Sequence, residues 1–126
     1  MNILDEIIAN PGIATRINEA FGDIEISSGY MPDKPDTVIG LFEYDATPPE
    51  HFFGVSTFPQ NIQARVRALD AGTAFNIAKA VSVVLNRYHD SIISILQNST
   101  ILDIGRDAAN PPRQEYTVNF TIRRKQ

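Results

Sequence analysis

Seven cations stand where this chain could meet a partner. Arg65 and Arg67 lie two residues apart in the alternating stretch Gln63-Ala64-Arg65-Val66-Arg67-Ala68, so a strand there turns both guanidiniums to one face. Arg106 and Arg113 flank a polar turn, and Arg123-Arg124-Lys125 forms a basic run beyond the last apolar alternation. Cations in such clusters contact phosphate or an acidic protein face. Charge and placement therefore make Arg65, Arg67, Arg106, Arg113, Arg123, Arg124 and Lys125 the interface candidates. The plainer readings are a solvated sheet face for the pair and an edge strand kept soluble for the basic run. What the seven suit is recognition, not bond making.

Residues for bond making are sparse. The two histidines, His51 and His89, have no second ligand at metal spacing. His89-Asp90-Ser91 holds the residue types of a triad, but triads assemble in space from distant segments, and a turn ending a helix explains these three. Gly105 precedes Arg106 where a strand enters a hairpin loop, a place where glycine serves the backbone. No glycine-rich phosphate loop is present, and with no cysteine neither disulfides nor thiolate ligands are available. The sequence predicts no enzyme, no metal and no cofactor.

The charge balance narrows the partners. The net charge of −4 divides into −8 for residues 1–60 and +4 for residues 61–126. Overall acidity disfavours a dedicated nucleic-acid binder, whose affinity comes mainly from neutralising phosphates. Either opposite surfaces carry the opposite charges, or the two halves intermingle in the fold. No apolar run approaches the ~20 residues that span a bilayer. The acidic start Met1-Asn2-Ile3-Leu4-Asp5-Glu6 lacks a basic leader region. At 126 residues the expectation is one soluble domain over 1–126.

Certain elements must position these side chains. Ile3, Leu4, Ile7 and Ile8 mark a helix face that Asn10-Pro11-Gly12 interrupts; Ile13, Ile17 and Phe21 continue it up to Gly22. Ile24 and Ile26 suggest a brief edge strand, followed by a proline-bearing turn over 27–36. The run 37–44 reads as a strand buried on both faces. Asp45 to Pro59 reads as a long polar connection, of the kind that binds partners and orders on docking. Residues 61–68 form the next strand, neighbour to 37–44. Asp70 caps a helix whose stripe Ala74, Ile77, Ala78, Val81, Val84, Leu85 and Tyr88 carries it to about Arg87. Strands at Ile92–Leu96, Ile101–Ile104 and Tyr116–Ile122 then form a meander, with a hairpin loop from Asp107 to Pro112. The expected fold is α+β: a mixed, mainly antiparallel sheet of four to five strands, with an N-terminal helix and one long helix packed on it.

Several pieces, in this order, resemble a family of small bacteriophage proteins. They are Gly29-Tyr30-Met31-Pro32-Asp33-Lys34-Pro35-Asp36-Thr37-Val38-Ile39, Pro48-Pro49-Glu50, Gln63-Ala64-Arg65-Val66-Arg67, Ile104-Gly105-Arg106-Asp107 and Tyr116-Thr117-Val118-Asn119-Phe120, spanning residues 29 to 122. The family is that of tail terminators, or tail-completion proteins, which includes minor capsid proteins. The resemblance implies a virion protein at the head-tail junction, assembled in the cytoplasm of the bacterial host. It implies a hexameric ring that caps the tail tube, stops its polymerisation and offers a head-joining surface. The implied partners are further copies of itself, the tail tube protein and head connector proteins. No membrane and no specific nucleic acid is among them, although the ring leaves DNA a way through. The competing reading is a small α+β binding module for RNA or a small molecule, without catalytic activity. That module needs stacking aromatics on a sheet face, and the outward residues Thr117, Asn119 and Thr121 are not aromatic.

Overall fold

The computed structural model describes residues 7–22, 24–46, 50–52, 55–90 and 93–124. Their order is α1 (Pro11–Phe21), β1 (Glu25–Ser28), β2 (Val38–Ala46), β3 (Glu50–Phe52), β4 (Val55–Ala68), α2 (Ala71–Leu85), β5 (Ile93–Gln97), β6 (Leu102–Arg106) and β7 (Gln114–Arg124). Hydrogen bonds join seven strands in the order β1-β2-β4-β7-β5, with β6 also on β7 and β3 on β4. All but β3 form the main sheet. Among the described residues only β1 and β2 run parallel. The mixed, mainly antiparallel α+β architecture is the expected one, with more strands than the four to five that the sequence predicts.

The alternating segments are the sheet's spine. β4 and β7 pair in register from Phe58↔Arg124 to Ala68↔Gln114. This sets Ile62, Ala64 and Val66 beside Phe120, Val118 and Tyr116 on one face, where all but Tyr116 are fully buried. β2 adds Ile39 and Leu41 opposite Val66 and Ala64. Helix α2 covers this face with the predicted stripe, and every stripe residue from Ala74 to Tyr88 is buried. Asp70 caps it as expected, its carboxylate accepting from the Thr73 N–H at 2.9 Å.

Helix α1 begins where the sequence suggested an interruption. The Asn10 side-chain oxygen accepts from the N–H groups of Gly12 (2.9 Å) and Ile13 (3.1 Å), which makes it an N-cap. Pro11 then occupies the first helical position, where its missing N–H costs nothing. Gly22, at φ +66°, stops the helix as expected. Ile3 and Leu4 lie outside the described residues.

Three expectations need correction. The long helix ends at Leu85, because Asn86 is extended and Arg87 takes φ +66°. The Arg87 N–H then bonds to the Ile95 carbonyl and the Ile95 N–H to the Tyr88 carbonyl, so β5 draws the chain out of the helix. The last three strands are no meander. β5 pairs with residues 120–124 of β7 and β6 with residues 114–117, end to end along one edge. The polar connection 45–59 is also largely strand: β2 runs to Ala46, β3 pairs with β4 through Glu50↔Thr57 to Phe52↔Val55, and Pro59 sits inside β4. Pro48 and Pro49 lie outside the described residues.

Candidate functional site

Two of the seven cations are buried in the subunit itself. Arg67 is 3% exposed and Arg113 5%. Alternation places Arg67 on the sheet face away from α2, opposite Val38 and Glu115. That face is not bare there. The segment from Gly29 to Thr37 folds back over it, started by Gly29 at φ +82° with its N–H on the Leu41 carbonyl at 2.8 Å. Gly40 lets it lie close, since a Cβ at that position would strike the Met31 sulfur.

The returning segment presents main-chain oxygens to Arg67. Its guanidinium donates to the carbonyls of Pro32 (2.6 Å), Pro35 (2.7 Å), Asp36 (3.0 Å) and Asp33 (3.4 Å). Arg113 holds the same segment by its carboxylates, with Nη2 3.4 Å from Asp33 Oδ1 and Nη1 3.3 Å from Asp36 Oδ1. Nη1 also donates to the Asp33 carbonyl. The Arg113 Nε donates to Asp107 Oδ2 at 2.8 Å, and Asp107 Oδ1 accepts from the Arg113 and Ala109 N–H groups, which closes the hairpin 107–112.

The charges answer one another. Burial first, then the adjacent Arg113, pulls the Arg67 guanidinium below its ordinary value. Arg113 ends above its own: burial lowers it, but the bond to Asp107 and the carboxylates around it more than offset that. Asp107 is held below the usual carboxylate range, first by the Arg113 backbone N–H. Asp36 is held low chiefly by Lys34, 3.0 Å away, with Arg113 adding to it. The matched donors and oxygens fasten two loops to the sheet. In the subunit by itself the guanidiniums of the interface candidates Arg67 and Arg113 are turned to its own oxygens, as internal fasteners.

The remaining candidates are spread out. Arg65 is half-buried opposite Gly40 and Thr117, its guanidinium 5.4 Å from the Phe42 ring centroid. Its Nε is buried without a hydrogen-bond partner among the described residues. Arg106 is exposed at the end of β6, donating to the Pro112 carbonyl at 3.1 Å. Arg123 and Arg124 lie at the far end of β7, opposite Pro59 and Phe58. Lys125 lies outside the described residues. The structure thus gathers Arg67 with Arg113, and among the described residues it leaves Arg65, Arg106 and the Arg123–Arg124 pair apart from them.

The triad-like tripeptide has a structural task. Asp90 Oδ2 accepts from the Asn10 amide at 3.0 Å and lies 2.9 Å from the Tyr88 hydroxyl, while Asp90 Oδ1 accepts from the Ile93 N–H. Burial first, then Asp90, raises the Tyr88 phenol above its ordinary value. Arg16 stacks 5.0 Å from the centre of the Tyr88 ring. His89 is exposed, and Ser91 lies outside the described residues. Among the described residues no three His, Cys, Asp or Glu side chains gather into a metal site, and no helix is long and apolar enough to cross a membrane.

The sequence reading missed Asp33, Asp36 and Asp107 as the partners of Arg113, and Asn10 as the partner of Tyr88 and Asp90. Asp33-Lys34-Pro35-Asp36 read as a turn, which it is, but nothing local says that a turn returns over a sheet. Asn10-Pro11 did carry a helix-start signal, the favoured cap residue followed by proline.

Three comparisons bear on this architecture. The family model described as bacteriophage tail terminator protein matches residues 12–126. No curated protein sequence matches the chain. Among solved structures, a chain from the virion of a native gene transfer agent particle superposes with a TM-score of 0.61 at 13% identity, over 97% of this chain and 90% of that one. A second solved structure, bearing no functional name, superposes with a TM-score of 0.50 at 7% identity, over 94% of this chain and 97% of its own. At such identities the likeness is one of fold.

Proposed function

The chain belongs to the bacteriophage tail terminator family, a structural class of phage tail proteins found in the virion, and on that footing we propose that it caps the tail tube as a hexameric ring. The ring occupies the growing end of the tube, stops polymerisation and presents a joining surface to the head connector. Its partners are copies of itself, the last tube subunits and the connector proteins, met in the cytoplasm of the host. The mechanism is occupancy, which requires no bond to be made or broken, so the protein is not an enzyme and uses no cofactor. Arg65, Arg106, Arg123, Arg124 and Lys125 remain the cations offered to those partners.

The observation that carries this reading is the family match across nearly the whole chain. The fastened loops support it, because an interface assembled from pre-formed surfaces loses less entropy on docking. Deleting the gene from its phage tests it. The expected particles are DNA-filled heads that stay unjoined and tails that grow past their normal length. Normal-length tails joined to heads would overturn the reading.

A further inference from the structure

We propose that β6 of one subunit pairs with β1 of the next, so that the sheet continues from copy to copy around the ring; this rests on the ring reading above. The sheet has two open edges among the described residues. β1 pairs with β2 alone, and β6 with β7 alone. The edge that β6 shares with β5 is treated unequally. Along β5 the chain covers it, through the Arg87, Asp90 and Ile95 N–H groups and the bridge from His89 to Ser94. Along β6 nothing among the described residues covers it, and all five residues are exposed, Leu102 at 46% and Ile104 at 44%. Proteins blunt such edges with charges, prolines, bulges or short length. β6 is short and carries Asp103, Arg106 and a bulge, where Asp103 accepts from the Gly105 N–H at 2.7 Å, yet its outer side is covered by nothing among the described residues.

A second copy is the occupant that the charges favour. Apart from Asp33 and Asp36, which Arg113 binds within the subunit, the sheet order sets the acidic and basic stretches toward opposite edges. Residues 25–46, which hold β1 and β2, carry five acids and one lysine; residues 93–124, which hold β5, β6 and β7, carry four arginines and three acids. Glu25 is exposed on β1 and Arg106 on β6, while Asp103 is engaged by Gln114 Nε2 at 2.6 Å within its own subunit. The edge strands match in length, four residues and five. Joining opposite edges is a heterologous contact, the kind that closes into a ring when its rotation allows. Main-chain bonds supply the pairing, and Leu102 and Ile104 the apolar contact.

The chain has no cysteine, so a designed pair reads the contact directly. With an antiparallel pairing that sets Glu25 against Arg106, Ser28→Cys and Leu102→Cys in one chain, at ring-forming concentration with a short bis-maleimide, are expected to give a covalent ladder ending at six subunits. Neither single variant should give it. In parallel, Arg106→Glu is expected to weaken assembly about tenfold at low salt, and Glu25→Arg in the same chain to restore it. A covalent dimer from Leu102→Cys alone would show β6 pairing with itself and overturn the proposal. Rings by native mass spectrometry with no ladder would leave the ring standing and place its contact elsewhere. Monomers at every concentration would overturn the ring itself, and the proposal with it.

Discussion

Arg67 and Arg113 hold one short segment together: Arg67 takes the carbonyls of Pro32, Asp33, Pro35 and Asp36, and Arg113 takes the carboxylates of Asp33 and Asp36 along with the Asp33 carbonyl. One arginine comes from mid-sheet and the other from just before β7, so the loop is fixed to two strands at once.

The first consequence separates two arginines that alternation makes equivalent. Arg67→Met removes a buried guanidinium and the donor to several part-buried carbonyls, and is expected to lower stability by roughly 2–4 kcal/mol in urea unfolding. Arg65→Glu should stay within about 1 kcal/mol of the parent, since Arg65 makes no ion pair among the described residues. Equal losses from the two changes would contradict the fastening assigned to Arg67.

Acid should loosen the same region. Asp107 and Asp36 have folded-state values below their ordinary 3.8, so each contributes stability that is fully present above that value. The contribution shrinks as pH falls below it and is gone once pH passes under the folded value. Thermal unfolding from pH 6 to pH 2.5 should therefore show a fall that starts near pH 4. Asp107→Asn should flatten part of it, and added salt should reduce it, because these carboxylates reach solvent. An unchanged acid limb in Asp107→Asn would remove Asp107 from this account.

The start of α1 gives a sharper test. Asn10→Ala removes the cap and the bond to Asp90, for an expected loss of about 1–2 kcal/mol. Gly12→Ala should destabilise too, although alanine is the better helix former, because its Cβ would meet the Tyr88 hydroxyl. With Tyr88→Phe in the background the hydroxyl is gone and only the ring carbon at 3.2 Å and Asn10 Oδ1 at 3.3 Å remain close, so Gly12→Ala should cost clearly less. A Gly12→Ala effect of the same sign and size in both backgrounds would show that the close approach is not what matters.

Helix α2 supplies the control on the core. Val81 is 4% exposed over the sheet, and Val81→Asp should cost roughly 4 kcal/mol or leave the domain unfolded. Val83, 74% exposed on the same helix, should accept aspartate within about 0.5 kcal/mol. Comparable melting of the two variants would mean the helix is turned the wrong way.

Periodicity by itself determined the elements that bury apolar surface. The alternation in 61–68 and 116–122 and the stripe from Ala74 to Tyr88 state which face must leave water, and the structure buries those faces. Asp70 and Gly22 were legible for a local reason: a cap and a left-handed stop are settled within one turn of chain. The ordered motifs from residue 29 to 122 carried the family, as the match over 12–126 bears out.

Only the tertiary structure decided what long-range partners decide. Alternation puts Arg65 and Arg67 on one face, but the segment that buries Arg67 arrives from residues 32–36 and could not be read from β4. The strand character of 50–52 and 55–57 comes from a local hairpin and that of 58–60 from pairing with distant β7, against prolines that locally signal a loop. Whether β5 and β6 pair with each other or share the edge of β7 depends on that strand offering eleven residues of edge, more than either shorter strand can fill. The charge division was plain in the sequence, yet whether its halves mixed or separated rested on strand order. That order, β1-β2-β4-β7-β5, is a property of the folded sheet.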